Sequence, residues 1–294
     1  MSEAVVLMAY GSPERLEDVP AYYADIRGGR PIRPELLDDL IDRYRRLGIE
    51  EGSPLNAITE QTRAALEREL ALPVFTGMKH WTPRIADAAE QALAADAATI
   101  VGLVLAPHYS KLSIAGYRHQ LEEALAGRAE LVFVESWHDD ERFVELLAVR
   151  VRGTASHVVF SAHSLPERIL AEGDPYKDQL LETSRLVAER AGLGDGWSFS
   201  FQSESATGEP WLGPDILDHL ADLHARGVRD VLVCPVGFVA DHLEIRWDLD
   251  TEAVERAREL GMQLARIEMP NAEPAFVRVL AGLVRGALSV PSAG

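Results

Sequence analysis

The chain has 294 residues, 47% of them hydrophobic, so it can bury the core of one large domain or of two ordinary ones. A formal net charge of −18 at pH 7 argues against a nucleic-acid partner, since a general nucleic-acid surface is basic. Its single cysteine, Cys234, excludes an intramolecular disulfide and cannot supply the four thiolates of an ordinary iron–sulfur cluster, so we expect Cys234 in the core.

The first residues predict a strand rather than a targeting segment. Residues 5–8 are apolar, but no basic region precedes them, and no later run approaches about 18 uninterrupted apolar residues. We therefore expect a cytoplasmic protein with no signal peptide and no integral membrane segment.

The first half of the chain alternates strand-like and helix-like patterns. An apolar run at 5–8 reaches a break just after Tyr10. A second strand-like run covers 75–79, a helical pattern covers 85–93, and a third apolar run occupies 100–108.

The second half repeats this arrangement. An apolar run at 158–160 stops at His163 and then turns. A further run at 199–203 leads to a helical pattern over 216–220, and the run at 231–237 closes the unit. Each helical pattern follows a proline, Pro83 or Pro214, which we place just inside the helix start.

Long apolar strands that alternate with helices predict parallel sheets covered on both faces. We therefore predict an α/β protein of two doubly wound domains, related by duplication, with a cleft between them. The first domain covers residues 1–152 and the second 153–270. Residues 271–294 form a C-terminal helix and tail, and we consider that this helix packs back on the first domain.

Three chemically versatile side chains fall at predicted strand ends, where ligands bind to open α/β sheets. Tyr10 belongs to the first domain, and His163 and Glu244 belong to the second. On its own, His163 could equally be a core histidine bonded to its neighbours. If the segment after Glu244 is helical, Asp248 and Glu252 share its face; like charges at this spacing cost a few tenths of a kcal/mol per pair, so a cation should offset them.

A local cluster of arginines interrupts the acidic background between residues 27 and 46. One interpretation is a solvated helix face paired with neighbouring aspartates, which we prefer for Arg45 and Arg46. The other is a carboxylate-binding patch, since guanidinium groups grip carboxylates bidentately. The cluster consists of Arg27, Arg30, Arg33, Arg43, Arg45 and Arg46.

Seven short motifs, in this order and spacing, resemble those of ferrochelatases. The resemblance covers nearly the whole chain and is greatest to the soluble coproporphyrin III ferrochelatases of Gram-positive-type bacteria. The motifs are Met8-Ala9-Tyr10-Gly11, Ser53-Pro54-Leu55, residues 105–110 (Leu-Ala-Pro-His-Tyr-Ser), residues 161–166 (Ser-Ala-His-Ser-Leu-Pro), Gln202-Ser203-Glu204, residues 211–214 (Trp-Leu-Gly-Pro) and residues 237–244 (Gly-Phe-Val-Ala-Asp-His-Leu-Glu).

The resemblance implies a chelatase-like fold of two Rossmann-like domains, and a lyase of heme biosynthesis that inserts Fe(II) into a porphyrin. It assigns the metal site and the catalysis to His163 and Glu244. An imidazole and a carboxylate suit Fe(II) or Zn(II) and leave coordination positions open. Whether His163 acts as base, as metal ligand or as both stays open. The resemblance also implies porphyrin contacts from Tyr10, Arg27, Arg43, Tyr44, Ser53 and Tyr117, and a possible metal relay through Asp248 and Glu252.

The implied substrates are Fe(II) and coproporphyrin III, with coproheme as product. We expect no permanently bound cofactor, no iron–sulfur cluster, a monomer, and transient handover of product to a coproheme-processing enzyme. One alternative is a protoporphyrin IX ferrochelatase, and another is a non-catalytic two-lobed protein that binds a tetrapyrrole or a metal. A smaller histidine-only cobalt or nickel chelatase fits less well, because of the Glu244 motif and the arginine-bearing segment.

Overall fold

The computed structural model describes residues 2–30, 33–50, 52–204 and 208–289. Within these ranges the chain forms two four-stranded sheets in which every neighbouring pair of strands is parallel. The first sheet has the order β2-β1-β3-β4 and the second has β6-β5-β7-β8. The strands are β1 (Glu3–Ala9), β2 (Val74–Met78), β3 (Thr99–Val104), β4 (Glu130–Val134), β5 (His157–His163), β6 (Trp197–Gln202), β7 (Asp230–Cys234) and β8 (Gln263–Arg266).

Helices connect the strands and cover both sheets, as the sequence predicts for a doubly wound α/β protein. A π-helix, Ile245–Ala253, and two short 3₁₀ turns, Leu16–Asp18 and Glu167–Leu170, complete the described elements. The α-helices are α1 (Val19–Ile26), α2 (Pro34–Arg46), α3 (Leu55–Leu70), α4 (Ile85–Ala94), α5 (Ile114–Leu125), α6 (Glu141–Val151), α7 (Tyr176–Ala191), α8 (Ile216–Ala225), α9 (Val254–Glu259) and α10 (Pro274–Ser289).

The central strands are buried on both faces. In β1 every residue after Glu3 is buried, in β3 every residue is, and in β5 only the two terminal histidines are partly exposed. This burial explains why these strands are continuous apolar runs rather than alternating ones. The two sheets share one strand order, consistent with the predicted duplication.

The largest hydrophobic core spans both halves. It joins side chains of β1 and β3 to those of β5, through α6, α7 and α10. Two smaller cores each cover the outer face of one sheet. The chain passes from the first sheet to the second between Val151 and His157, and α6 packs on α7 of the second half.

The C-terminal helix α10 returns to the first half. It packs on α3, α6, β3 and β4, and Arg285 donates a hydrogen bond of 2.8 Å to the carbonyl of Glu69. Pro83 and Pro214 lie just before the extended N-cap residues Arg84 and Asp215, so our placement of these prolines inside their helices is wrong by about two residues. No helix in the described part of the chain is long and apolar enough to cross a membrane.

Two glycines allow the loops at the carboxyl edges of the sheets to turn tightly. Gly11 has a φ of +86°, and a Cβ there would lie 2.7 Å from the Cβ of Trp81. Gly237, just after β7, lies so close to β5 that a Cβ would fall 2.6 Å from the Cβ of Ala162. The second contact brings the loop leading to Glu244 against the strand that carries His163.

Candidate metal and substrate site

The carboxyl ends of β1 and β5 carry two of the three side chains that the sequence singles out, whereas Glu244 lies ten residues after β7. Tyr10 follows β1 directly, His163 is the last residue of β5, and Glu244 immediately precedes the π-helix. Tyr10 is 41% exposed, and His163 and Glu244 are partly exposed. The negative charges of Glu244 and Asp25 both raise the pKa of Tyr10, after burial, which is the largest cause. Tyr10 of the first half and Glu244 of the second therefore lie within electrostatic reach across the cleft.

His163 and Glu244 form an open pair. Nε2 of His163 lies 3.8 Å from Oε1 of Glu244, too far for a direct hydrogen bond. The other ring nitrogen, Nδ1, donates to the carbonyl of Ser164, which leaves Nε2 as the lone-pair nitrogen of the neutral imidazole. Its ring also lies 6.5 Å, centroid to centroid, from the indole of Trp211.

Glu244 carries its negative charge throughout the neutral range. Burial would raise its pKa, but its interactions with His163, His242 and Arg43 outweigh burial and lower the pKa to about 2. His242 is held by a 2.9 Å hydrogen bond from Nδ1 to the carbonyl of Ala240, and its Nε2 lies 3.6 Å from Oε2 of Glu244. Burial would lower the pKa of His242, yet Glu244 raises it.

The gap between the two donor atoms suits an ion. An ion bonded to a nitrogen and an oxygen at about 2.1 Å each could bridge donors up to about 4.2 Å apart. Among the residues that the structure describes, no three His, Cys, Asp or Glu side chains converge to hold a metal by themselves. The His163–Glu244 pair could therefore supply an ion with two protein ligands and leave its other coordination positions open.

The acidic residues after Glu244 lie on a π-helix. This helix type, with i→i+5 hydrogen bonds, is rare in proteins, but where it occurs it is often part of a functional site. Asp248 is only 6% exposed, and Ser203 donates a hydrogen bond to its Oδ2. Burial, then Glu244, then Glu252 raise the pKa of Asp248 to about 6. Glu252 is partly exposed. The three carboxylates therefore influence one another, with Asp248 between the other two along the chain.

A third histidine, His80, lies beside Tyr10 and does not stand out in the sequence. Its ring centroid lies 4.6 Å from that of Tyr10, and its Nδ1 lies 2.8 Å from Oδ2 of Asp25. Asp25 also accepts two hydrogen bonds from Arg84, at 3.1 and 3.0 Å. Burial lowers the pKa of His80. His80 could have been identified from the sequence by its position two residues after β2, the strand that pairs with β1.

Helix α2 of the first half approaches the π-helix through two arginines. The guanidinium carbons of Arg43 and Arg46 lie 5.2 and 4.7 Å from the ring centroid of Trp247, within cation–π range. Arg43 also donates to Asp39 at 3.0 Å. Tyr44, between them, is only 1% exposed, and its hydroxyl lies 3.3 Å from Oγ of Ser12.

The other predicted substrate contacts, Arg27, Ser53 and Tyr117, lie on other elements of the first half. Arg27 immediately follows α1, and its Nε is buried with no partner among the described residues. Oγ of Ser53 accepts a 3.3 Å hydrogen bond from the amide of Leu55. Tyr117 is 5% exposed, and Nζ of Lys79 lies 4.7 Å from its ring centroid.

Comparisons with known proteins point to one family. A family model described as Ferrochelatase matches residues 2–288. A protein named Ferrochelatase from Herpetosiphon aurantiacus is 45% identical over 302 residues, covering 96% of this chain and 98% of the relative. A protein named Coproporphyrin III ferrochelatase from Bacillus subtilis is 40% identical over 300 residues, covering 95% of this chain and 96% of the relative.

Solved structures share the fold at low sequence identity. SirB from Bacillus subtilis with Fe3+ superposes with a TM-score of 0.62 at 11% identity, covering 98% of this chain and 96% of that one. The structure of CbiX, described as the terminal enzyme for siroheme biosynthesis in denitrifying bacteria, gives 0.55 at 15% identity, covering 97% and 100%. At these identities the likeness shows the chelatase-like fold alone.

Proposed function

This chain belongs to the ferrochelatase family, a family of lyases that insert iron into porphyrins, and from that premise we propose that it inserts Fe(II) into coproporphyrin III to give coproheme. Several curated relatives at 38–41% identity carry the name Coproporphyrin III ferrochelatase. The observation that carries the proposal is the open His163–Glu244 pair, 3.8 Å apart, whose carboxylate lies within electrostatic reach of Tyr10.

We assign iron binding and catalysis to His163 and Glu244. Glu244 stays anionic and attracts the dication, while Nε2 of His163 has a free lone pair for iron or for a pyrrole proton. A site with two protein ligands holds the ion loosely enough to release it into the macrocycle, whereas a closed four-ligand site would retain it. Both pyrrole protons must leave as the metal enters.

The substrate's propionates would be held by the first half of the chain. We propose Arg27 and Arg43 as their cationic partners, with Tyr10, Tyr44, Ser53 and Tyr117 as further porphyrin contacts. Support comes from the buried Nε of Arg27, a donor without a partner among the described residues. A buried unpartnered donor is costly, and a carboxylate would satisfy it.

Asp248 and Glu252 are proposed as a relay that brings iron to Glu244. The raised pKa of Asp248 shows that its carboxylate already lies in the field of both neighbours. A dication that passes along this row would offset their mutual repulsion, and the row would in turn lower the electrostatic barrier to its entry.

The remaining parts of the proposal concern cofactors, partners and location. We propose that no iron–sulfur cluster or other permanent cofactor takes part, since the sequence has one cysteine and Cys234 is buried. We further propose that the protein acts in the cytoplasm as a monomer and passes coproheme to a downstream enzyme.

The test is a steady-state comparison of coproporphyrin III and protoporphyrin IX with Fe(II) under anaerobic conditions. We expect the larger kcat/KM for coproporphyrin III, because its four propionates engage more donors than the two of protoporphyrin IX. A larger kcat/KM for protoporphyrin IX would assign the enzyme to protoheme synthesis instead. Porphyrin binding without metal insertion under either condition would favour a non-catalytic binding protein.

A pair of histidine variants tests the role of His163 in metal insertion. His163→Ala should abolish insertion, whereas His119→Ala, on the exposed surface of α5, should retain it. Equal loss in both variants would indicate general damage to the protein and would contradict the assigned role of His163.

A further inference from the structure

A buried carboxylate joins the two halves of the protein. Asp174 lies just before α7 of the second half and is 5% exposed. Its Oδ2 accepts hydrogen bonds from two residues of the first half, Oγ of Ser110 at 3.0 Å and the amide of Lys111 at 2.7 Å. Its Oδ1 accepts from the amide of Tyr176 at 3.0 Å.

The three hydrogen bonds to Asp174 fix the relative position of the two segments that meet here. A buried carboxylate is stable only when its oxygens are satisfied, and no cationic side chain pairs with Asp174 in the described part of the chain. A shift of Ser110 and Lys111 relative to α7 would leave the charge without two of its donors. The carboxylate therefore fixes the loop after β3 against the start of α7.

Tyr176 extends this junction to the metal site. Its side chain is buried, and its hydroxyl donates a 3.0 Å hydrogen bond to the backbone carbonyl of His163. Tyr176 therefore donates hydrogen bonds both to Asp174, through its amide, and to the backbone of His163, through its hydroxyl. Two further bonds reinforce the same junction, from the amide of Tyr109 to Gln179 at 2.7 Å and between Nε2 of His108 and Thr183 at 2.9 Å.

We propose that Tyr176 and Asp174 are positioning residues that set the place of His163 relative to the first-half wall of the cleft. This inference rests on the proposed function of His163. A displaced β5 end would change the 3.8 Å gap to Glu244 and so weaken metal capture, while the porphyrin contacts on the first half would stay in place.

Tyr176→Phe removes the hydroxyl alone, and Ser184→Ala is its control. Ser184 is buried on the same helix, but its hydroxyl donates only within α7, to the carbonyl of Leu180 at 2.8 Å. The assay is Zn(II) insertion into coproporphyrin III, with the KM for zinc and the KM for porphyrin measured separately, and the melting temperature of each variant.

We expect Tyr176→Phe to lower kcat/KM for zinc by about three- to tenfold, the equivalent of one hydrogen bond. Its KM for porphyrin should stay within about twofold of the wild type, and its melting temperature should match that of Ser184→Ala, which keeps wild-type kcat/KM for zinc. Kinetics of Tyr176→Phe identical to those of Ser184→Ala, or a KM for porphyrin raised as much as that for zinc, would overturn the inference.

Ser110→Ala provides the second variant, from the other half. It removes one hydrogen-bond donor to Asp174. We expect it to lower kcat/KM for zinc by less than Tyr176→Phe does and to leave the KM for porphyrin unchanged. If Tyr176→Phe does not fold, an unchanged kcat/KM for zinc in Ser110→Ala overturns the inference. A wild-type protein that inserts no metal at all would instead refute the proposed function.

Discussion

Replacing Asp248 by asparagine should stabilise the protein above pH 6 and leave its stability nearly unchanged near pH 4. Asp248 is 6% exposed, and burial, then Glu244 and Glu252, raise its pKa from 3.8 to about 6. Asparagine has nearly the same size, carries no charge at either pH, and keeps an oxygen to accept the hydrogen bond from Ser203.

The sign and size of the effect follow from proton linkage. Between pH 3.8 and 6 the folded protein holds a proton on Asp248 that the unfolded chain has lost, so stability falls as the pH rises through this window. Above pH 6 the ionised carboxylate costs the fold about 3 kcal/mol, from roughly 1.36 kcal/mol per pKa unit. Asparagine removes that cost, and the gain should disappear as the pH falls toward 4.

Urea unfolding followed by circular dichroism at pH 7.5 and pH 4 measures the difference directly. Glu255→Gln, at an exposed carboxylate of α9, is the control and should change the free energy of unfolding by no more than about 0.5 kcal/mol at either pH. If Asp248→Asn raised the free energy of unfolding equally at both pH values, or lowered it at pH 7.5, the reasoning would be refuted.

Three further predictions concern activity. His163→Ala should abolish iron insertion while porphyrin affinity, measured by fluorescence quenching, stays within a few-fold; an equal loss of both would contradict the metal-site role. Glu244→Gln should suppress turnover with circular dichroism unchanged, because it keeps volume and removes the anion; a wild-type rate would show Glu244 to be a bystander. Arg43→Ala should raise the KM for coproporphyrin III by about ten- to 100-fold, and this rise should exceed the rise in the KM for protoporphyrin IX. Arg45→Ala, at an exposed arginine of the same helix, should change neither KM. Equal effects of Arg43→Ala on the two porphyrins would count against a propionate contact.

The strand ends could be predicted from the sequence because parallel strands buried on both faces leave an unmistakable apolar run. Such runs place Tyr10 and His163 at the edge where the loops of both sheets meet, and the structure confirms the α/β fold. The resemblance to a family supplied Glu244, which no local pattern identifies as the partner of His163.

The remaining features depend on tertiary packing, which a single sequence does not encode locally. The segment after Glu244 has the acidic spacing of an ordinary helix face, yet it forms a π-helix. The ring of His80 reaches Tyr10 only because β2 pairs with β1. Tyr44 and Tyr117, both predicted porphyrin contacts, are almost fully buried here, so their roles stay predictions that a porphyrin complex would test.

One of the positive charges that offset the acidic face comes from the opposite half of the protein. Arg43, on α2, lowers the pKa of Glu244 and lies over the ring of Trp247, within the π-helix. It is also one of the two arginines proposed to hold the propionates. A porphyrin that drew Arg43 away would remove one of the positive charges that stabilise the Glu244 carboxylate. Glu244 would then attract a dication more strongly, so the same arginine can couple porphyrin binding to iron capture.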